Sequence, residues 1–165
     1  MSTLKVGTIQ DPTNSNTAIS IDSSGRVNIP NTPAFMTDMR GQGTVQTTGV
    51  LPFVNVRVDN GGNYNTTDKK FTAPIDGIYI FHYGCLVRNA TASFQFLVNG
   101  NSTASYRTGY ADAQPTSGTG LEIMVSGSEI MNLTANDYVQ VNVQYFSGQD
   151  IYAEDISYFN GHLIG

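Results

Sequence analysis

Lys70-Phe71-Thr72-Ala73-Pro74-Ile75-Asp76-Gly77-Ile78-Tyr79-Ile80-Phe81 is the stretch whose reading decides the fold. Pro74 ends an extended segment, because its ring fixes φ and removes a backbone donor. Asp76-Gly77 then supplies turn chemistry ahead of an apolar run. From Ile78 the side chains alternate, with Tyr79, Phe81 and Tyr83 on one side and Ile78, Ile80 and His82 on the other. Both sides are largely apolar, which predicts a strand inside a sandwich and not at an exposed sheet face.

Outward from this strand the pattern repeats. Extended segments are predicted at 34–39, 50–58, 69–73, 77–87, 93–99, 103–108, 119–126, 129–133, 137–146 and 156–164. Turn residues separate them: Asp59-Asn60-Gly61-Gly62-Asn63, Asn99-Gly100-Asn101, Ser126-Gly127-Ser128 and Ala135-Asn136-Asp137. Asn99-Gly100 is a tight-hairpin signal, since both residue types tolerate positive φ. Ten short strands with frequent turns predict an all-β sandwich or jelly roll, and no helix longer than a turn is expected. The composition agrees: charged residues are only 13%, while Gly, Asn, Ser and Thr are abundant.

Residues 1–33 read differently from 34–165. Leu4 to Ile9, Thr17 to Asp22 and Arg26 to Ile29 alternate as three short strands, separated by turn clusters at Asp11–Asn16 and Ser23–Gly25. Their aliphatic residues (Leu4, Val6, Ile9, Ile19, Ile21, Val27 and Ile29) are too few for an independent core. The segment is therefore expected to dock, either on its own trimer mates or on a larger assembly, because a disordered tail has no need of regular apolar alternation.

Several function classes are disfavoured. A net charge of −5 with eight Lys and Arg argues against nucleic-acid binding, which needs basic patches against phosphate. No run of 18 apolar residues is present, so no membrane span is expected, and the first residues lack a signal-peptide apolar core. Cys85 is the single cysteine, so no intrachain disulfide forms. Sequons begin at Asn65, Asn89, Asn101 and Asn132, and chance in an Asn- and Thr-rich chain accounts for them.

The pattern Phe71-x-Ala73-Pro74-x-x-Gly77-x-Tyr79-x-Phe81 resembles the signature of complement C1q-like globular domains, ten-strand jelly rolls of the C1q and tumour-necrosis-factor type. Pro52-Phe53-Val54-Asn55 with Tyr64-Asn65 resembles the family's second strand and following loop. Leu133-x-Ala135-Asn136-Asp137-x-Val139-x-Val141 resembles its Leu-x-x-Gly-Asp-x-Val segment, with Asn136 in place of glycine. Ser157 to Ile164 resembles its closing strand. The resemblance covers 34–165 and implies a homotrimeric knob. The core of the first segment, Val6 to Asp11 and Ile19 to Val27, is similar to N-terminal sequences of tailed-bacteriophage structural proteins, especially those of marine or cyanobacterial phages. The sequence carries no collagen-like Gly-X-Y repeat.

Catalytic constellations are weak. His82 and Cys85 lie three apart on one predicted strand, so they face opposite sides and cannot pair. His162, the only other histidine, sits in the predicted last strand, and no His-based triad or zinc site can be completed. Asp150, Glu154 and Asp155 form a late acidic cluster, and the resemblance implies calcium as one reading of it beside a solvated loop. Aromatic rows pack along the threefold axis in such trimers, so Tyr79, Phe81, Tyr158 and Phe159 are expected to divide between core and trimer interface. The expectation is a non-enzymatic virion protein without cofactor, made in the host cytoplasm. It decorates the capsid as a homotrimer whose 1–33 arm adds strands to a major capsid protein or another virion protein. The other reading is a receptor-binding tail fibre or tail tip, with polar loops at 107–118 and 147–155 contacting a host surface ligand.

Overall fold

The computed structural model describes residues 5–112 and 120–165. Two units form, Met1–Thr32 and Pro33–Gly165. In the first, β1 (Thr8–Gln10), β2 (Thr17–Ile21) and β3 (Val27–Asn28) make an antiparallel meander in that order. Its turns are held by carboxylates. Asp11 Oδ1 accepts from the backbone N–H groups of Thr13 and Asn14, and Asp22 Oδ1 accepts from those of Ser24 and Arg26. These are Asx-type turns, in which a short acidic side chain substitutes for a backbone acceptor.

The second unit contains β4 (Ala34–Asp38), β5 (Gly43–Val45), β6 (Gly49–Val50), β7 (Asn55–Asn60), β8 (Tyr64–Asn65), β9 (Lys70–Thr72), β10 (Gly77–Val98), β11 (Asn101–Asp112), β12 (Glu122–Leu133), β13 (Tyr138–Ala153) and β14 (Tyr158–Leu163). No helix occurs among the described residues. Strand β10 organises everything. Its first half pairs with β14 on one side and β12 on the other, and its second half pairs with β13 and β11. One sheet therefore runs β7-β4-β14-β10-β12. The other runs β8-β9-β13-β10-β11, with β5 and β6 also paired to β13. This is the jelly-roll sandwich expected from the sequence.

Two predicted strands, 77–87 and 93–99, are thus one continuous strand. The inward set is odd-numbered from Tyr79 to Val87 and even-numbered from Ala90 to Phe96. The change of parity falls at Asn89, where φ is +44°. Across the ladder Gly148 has φ +129°, and a Cβ there would sit 2.5 Å from the Ala90 Cα. Only glycine fits that approach. The Asn89 side chain fixes the corner, donating to Gln149 Oε1 at 2.7 Å and accepting from the Leu121 N–H at 2.7 Å.

The turn expected at Ser126-Gly127-Ser128 does not exist. Those residues lie within β12, paired with Gly84, Tyr83 and His82. A full ladder against β10 outweighs the local turn preference. The predicted hairpin at Asn99-Gly100 forms, with both residues at positive φ and Val98 opposite Asn101. Asn136 also adopts positive φ, +76°, which is how asparagine serves where the family pattern has glycine.

The core between the sheets is aromatic. Phe35 stacks on Phe71 with ring centroids 4.8 Å apart and meets Phe159 edge-on at 4.8 Å. Phe81 touches Phe71, Phe96 and Phe159. Gly161 makes this possible, because a Cβ at that position would lie 2.4 Å from Phe81 Cδ1.

Candidate self-association face

The outer face of the first sheet is the most distinctive surface of the knob. The pleat that sends Tyr79, Phe81, Tyr83 and Cys85 inward sends Ile78, Ile80, His82 and Leu86 outward. Directly opposite residues share a face, so Ile130 stands beside Ile80 and Met124 beside Leu86 on β12. On the other side β14 sets Tyr158 beside Gly84 and His162 beside Ile80, and β4 and β7 add Met36 and Val58. Tyr158 lies flat over Gly84, where any Cβ would be 2.5 Å from its ring. Ile130 is 58% exposed, Val58 51% and Ile78 44%. The sequence reading placed both sides of this strand inside the sandwich. Only the ring-bearing side is, and the aliphatic side lies open.

That geometry sorts the four aromatics expected to divide between core and trimer interface. Tyr79, Phe81 and Phe159 have no exposed surface in the single chain, so they are core and leave nothing for a partner to cover. Tyr158, half-buried on the outer face, is the one of the four that can serve both roles. The aliphatics that share this outer face, Ile78, Ile80, Leu86, Met124 and Ile130, were not singled out from the sequence. Their signal was the aliphatic row alternating with the rings.

In the arm, Val6, Ile9, Ile21, Val27 and Ile29 are exposed and Ile19 is half-buried. Leu4 lies outside the described residues. The expected loop 147–155 is largely strand, since β13 continues to Ala153. The expected loop 107–118 is strand as far as Asp112, and 113–119 lie outside the described residues.

The three late carboxylates are each engaged by donors of this chain. Arg88 donates from Nε to Asp150 Oδ1 at 2.7 Å and from Nη2 to Asp150 Oδ2 at 2.9 Å, and its guanidinium lies 4.4 Å from the Tyr152 ring centre. Asp155 pairs with Arg40 at 3.2 Å, and Glu154 accepts from the Gly41 N–H at 3.2 Å. Among the described residues no group of three or more His, Cys, Asp or Glu gathers as a metal-holding set. Asp38 is fully buried. Burial alone would raise its carboxyl pKa, but the Arg40 N–H, the Asn55 amide and the Arg57 guanidinium hold it below the usual carboxylate range.

Cys85 is buried in the core, and that burial pushes its thiol far above its ordinary value. It faces inward while His82 faces outward, as their spacing requires. Elsewhere an open cleft of about 630 Å³ is walled by polar side chains, including Asn63, Asn65, Thr66, Asp68, Lys70 and Asn136.

Comparison with known proteins agrees with this architecture. Residues 34–164 match the family model described as "C1q domain". The chain is 32% identical over 116 residues to complement C1q tumor necrosis factor-related protein 5 of Rattus norvegicus, covering 69% of this chain and 45% of that protein. It is 29% identical over 117 residues to complement C1q tumor necrosis factor-related protein 2 of Mus musculus, covering 69% of this chain and 37% of that protein. The chain thus spans less than half the length of these relatives. Among solved structures, the globular domain of zebrafish complement 1qA superposes with a TM-score of 0.63 at 17% identity, over 81% of this chain and 98% of that one. The Eiger tumour necrosis factor of S. frugiperda gives 0.59 at 9% identity, over 82% and 94%. These two likenesses speak to fold. Domains of this kind typically assemble as homotrimers and are generally non-enzymatic. By the span and ordered motifs of the match, the chain belongs to the C1q domain family.

Proposed function

We propose that this chain is a non-enzymatic, homotrimeric structural protein, with the outer face of the β7-β4-β14-β10-β12 sheet as the contact between its three knobs. The observation that carries this reading is the open aliphatic side of β10 and its edge neighbour β12, where Ile78, Met124 and Ile130 are exposed on a sheet whose other side is already core. A monomer gains nothing from an apolar row there, whereas three copies bury it. We further propose that the trimer decorates the capsid of a tailed bacteriophage, held by its N-terminal arms. Support comes from the similarity of Val6–Asp11 and Ile19–Val27 to phage structural proteins. The free edges of the arm meander, β1 and β3, also suit strand addition to a capsid-protein sheet. Three arms on one trimer would bind by effective concentration even if each is weak.

The test is copy number. Quantitative gels of purified particles should give hundreds of copies per virion for a decoration protein, and a handful would sink that reading. A second reading is favoured by the polar cleft beside Asn63, Asn65 and Lys70, which suits recognition of a polar host-surface ligand by a tail knob. In that case purified protein adsorbs to host cells and blocks infection, and the copy number is low.

A further inference from the structure

The arm meander has a sidedness that the sequence alone did not settle. Ile9 pairs with Ile19 across β1 and β2, and Ile21 pairs with Val27 across β2 and β3. Directly opposite residues share a face, and so do residues two apart on one strand. Ile9, Ile19, Ile21 and Val27 therefore stand together on one side of the sheet, and Ile29 continues the row of Val27. The other side carries Thr8, Ser20 and Asn28, which are paired through the same registers. The apolar side is open, with Val27 63% and Ile9 49% exposed. A three-stranded ribbon of this size with its one apolar face in water is marginal, and needs a second layer.

We propose that this face is covered by the arms of the other two copies, so that three meanders pack apolar side inward as a short three-sided stem. The inference rests on the homotrimeric reading above. What selects this occupant is the tether. Only Pro30, Asn31, Thr32 and Pro33 separate Ile29 from the first knob strand at Ala34. In a trimeric knob three identical apolar faces are therefore held at an effective concentration on the order of millimolar before any outside partner arrives. The row also carries no charge that would repel its own copies: Ile, Ile, Ile and Val meet Ile, Ile, Ile and Val. The stem leaves the polar side and the edges of β1 and β3 outward, where capsid docking needs them.

The experiment uses the full chain with Ile21→Cys or Ser20→Cys. Ile21 is central in the apolar row, and Ser20 is its neighbour on the polar side. Native Cys85 is buried and does not compete. Light scattering first establishes the mass, and a monomer refutes the trimer reading itself. On a confirmed trimer, mild oxidation should link Ile21→Cys chains into disulfide dimers, with at most two of every three chains joined, while Ser20→Cys chains stay single. Hydrogen exchange of unmodified protein gives an independent reading. Amides in 17–28 should exchange about 100-fold slower than in an unstructured peptide, and Ile19→Asp should abolish that protection while the knob keeps its own. Equal linking of the two cysteine variants, or a confirmed trimer whose arm amides exchange at the unstructured rate, overturns the stem.

Discussion

Replacing Ile130 by serine isolates the contribution of the proposed knob contact. Ile130 is 58% exposed and stands beside Ile80 on the outer face. Complete burial of an isoleucine side chain is worth about 1.5–3 kcal/mol, so covering the exposed portion is worth roughly 1–2 kcal/mol per copy. Three copies bring this to about 3–5 kcal/mol per trimer. At 1.4 kcal/mol per decade, the trimer dissociation constant rises about 10²- to 10⁴-fold. That constant has units of concentration squared, so the midpoint concentration of assembly shifts by its square root, about 10- to 100-fold. The assay is a dilution series followed by sedimentation velocity or light scattering. Thermal unfolding of the dissociated chain should barely change, because serine at an exposed strand position leaves the core intact. Tyr145, 52% exposed on β13 of the other sheet, is the control, and Tyr145→Ser should leave the midpoint where it was. A folded Ile130→Ser protein whose midpoint moves less than threefold, or an equal shift in the control, would refute the assignment of this face.

Other expectations follow from the packing. Gly161→Ala forces a methyl against the Phe81 ring and the Ile80 carbonyl, so overpacking should cost about 1–3 kcal/mol and lower Tm by several degrees. Phe81→Leu should recover part of that loss in the double variant, which a double-mutant cycle detects. The Asp38 carboxyl is held below its ordinary 3.8, so it contributes stability above that pH and loses it as pH falls through the lower folded value. Asp38→Asn should therefore flatten the decline in Tm on acidifying below about pH 4, read by calorimetry in a pH series. Deleting residues 1–32 should leave a folded knob, which on the proposed decoration role no longer attaches to particles, and loss of the knob's unfolding transition would contradict the two-unit division.

How much of this was legible in the chain depended on whether a residue's role is local. Asn99-Gly100 needs nothing beyond two residues that accept positive φ, and it turns as read. Ser126-Gly127-Ser128 has equally good turn chemistry and is strand, because β10 is long enough to pair with all of β12. Nothing within those three residues reports the length of a partner some forty positions earlier. The join between the two halves of β10 was hidden for a related reason. Asn89 at positive φ reverses the parity of the inward set, and in sequence a reversed parity looks like a break between strands. Gly148, the matching device on β13, lies in a stretch whose Ser, Gly, Gln and Asp read as loop.

The open aliphatic row was obscured by a physical ambiguity that size can resolve. A strand apolar on both sides is either buried on both or buried on one and covered by another copy. Periodicity is identical in the two cases. The gap between packed sheets is about 10 Å, and large rings from both inner faces fill it. Of the two rows on β10, Tyr79, Phe81 and Tyr83 carry the volume that such a gap demands, and Ile78 and Ile80 do not. The heavier row was therefore bound to turn inward, and the lighter one to become surface. The arm obeys the same rule with no heavier row to offer: its four paired aliphatics form one side of a sheet that has no second layer of its own. Knob and arm thus present the same unfinished feature, a sheet apolar on a side that the single chain leaves open, and the threefold assembly proposed above would complete both at once.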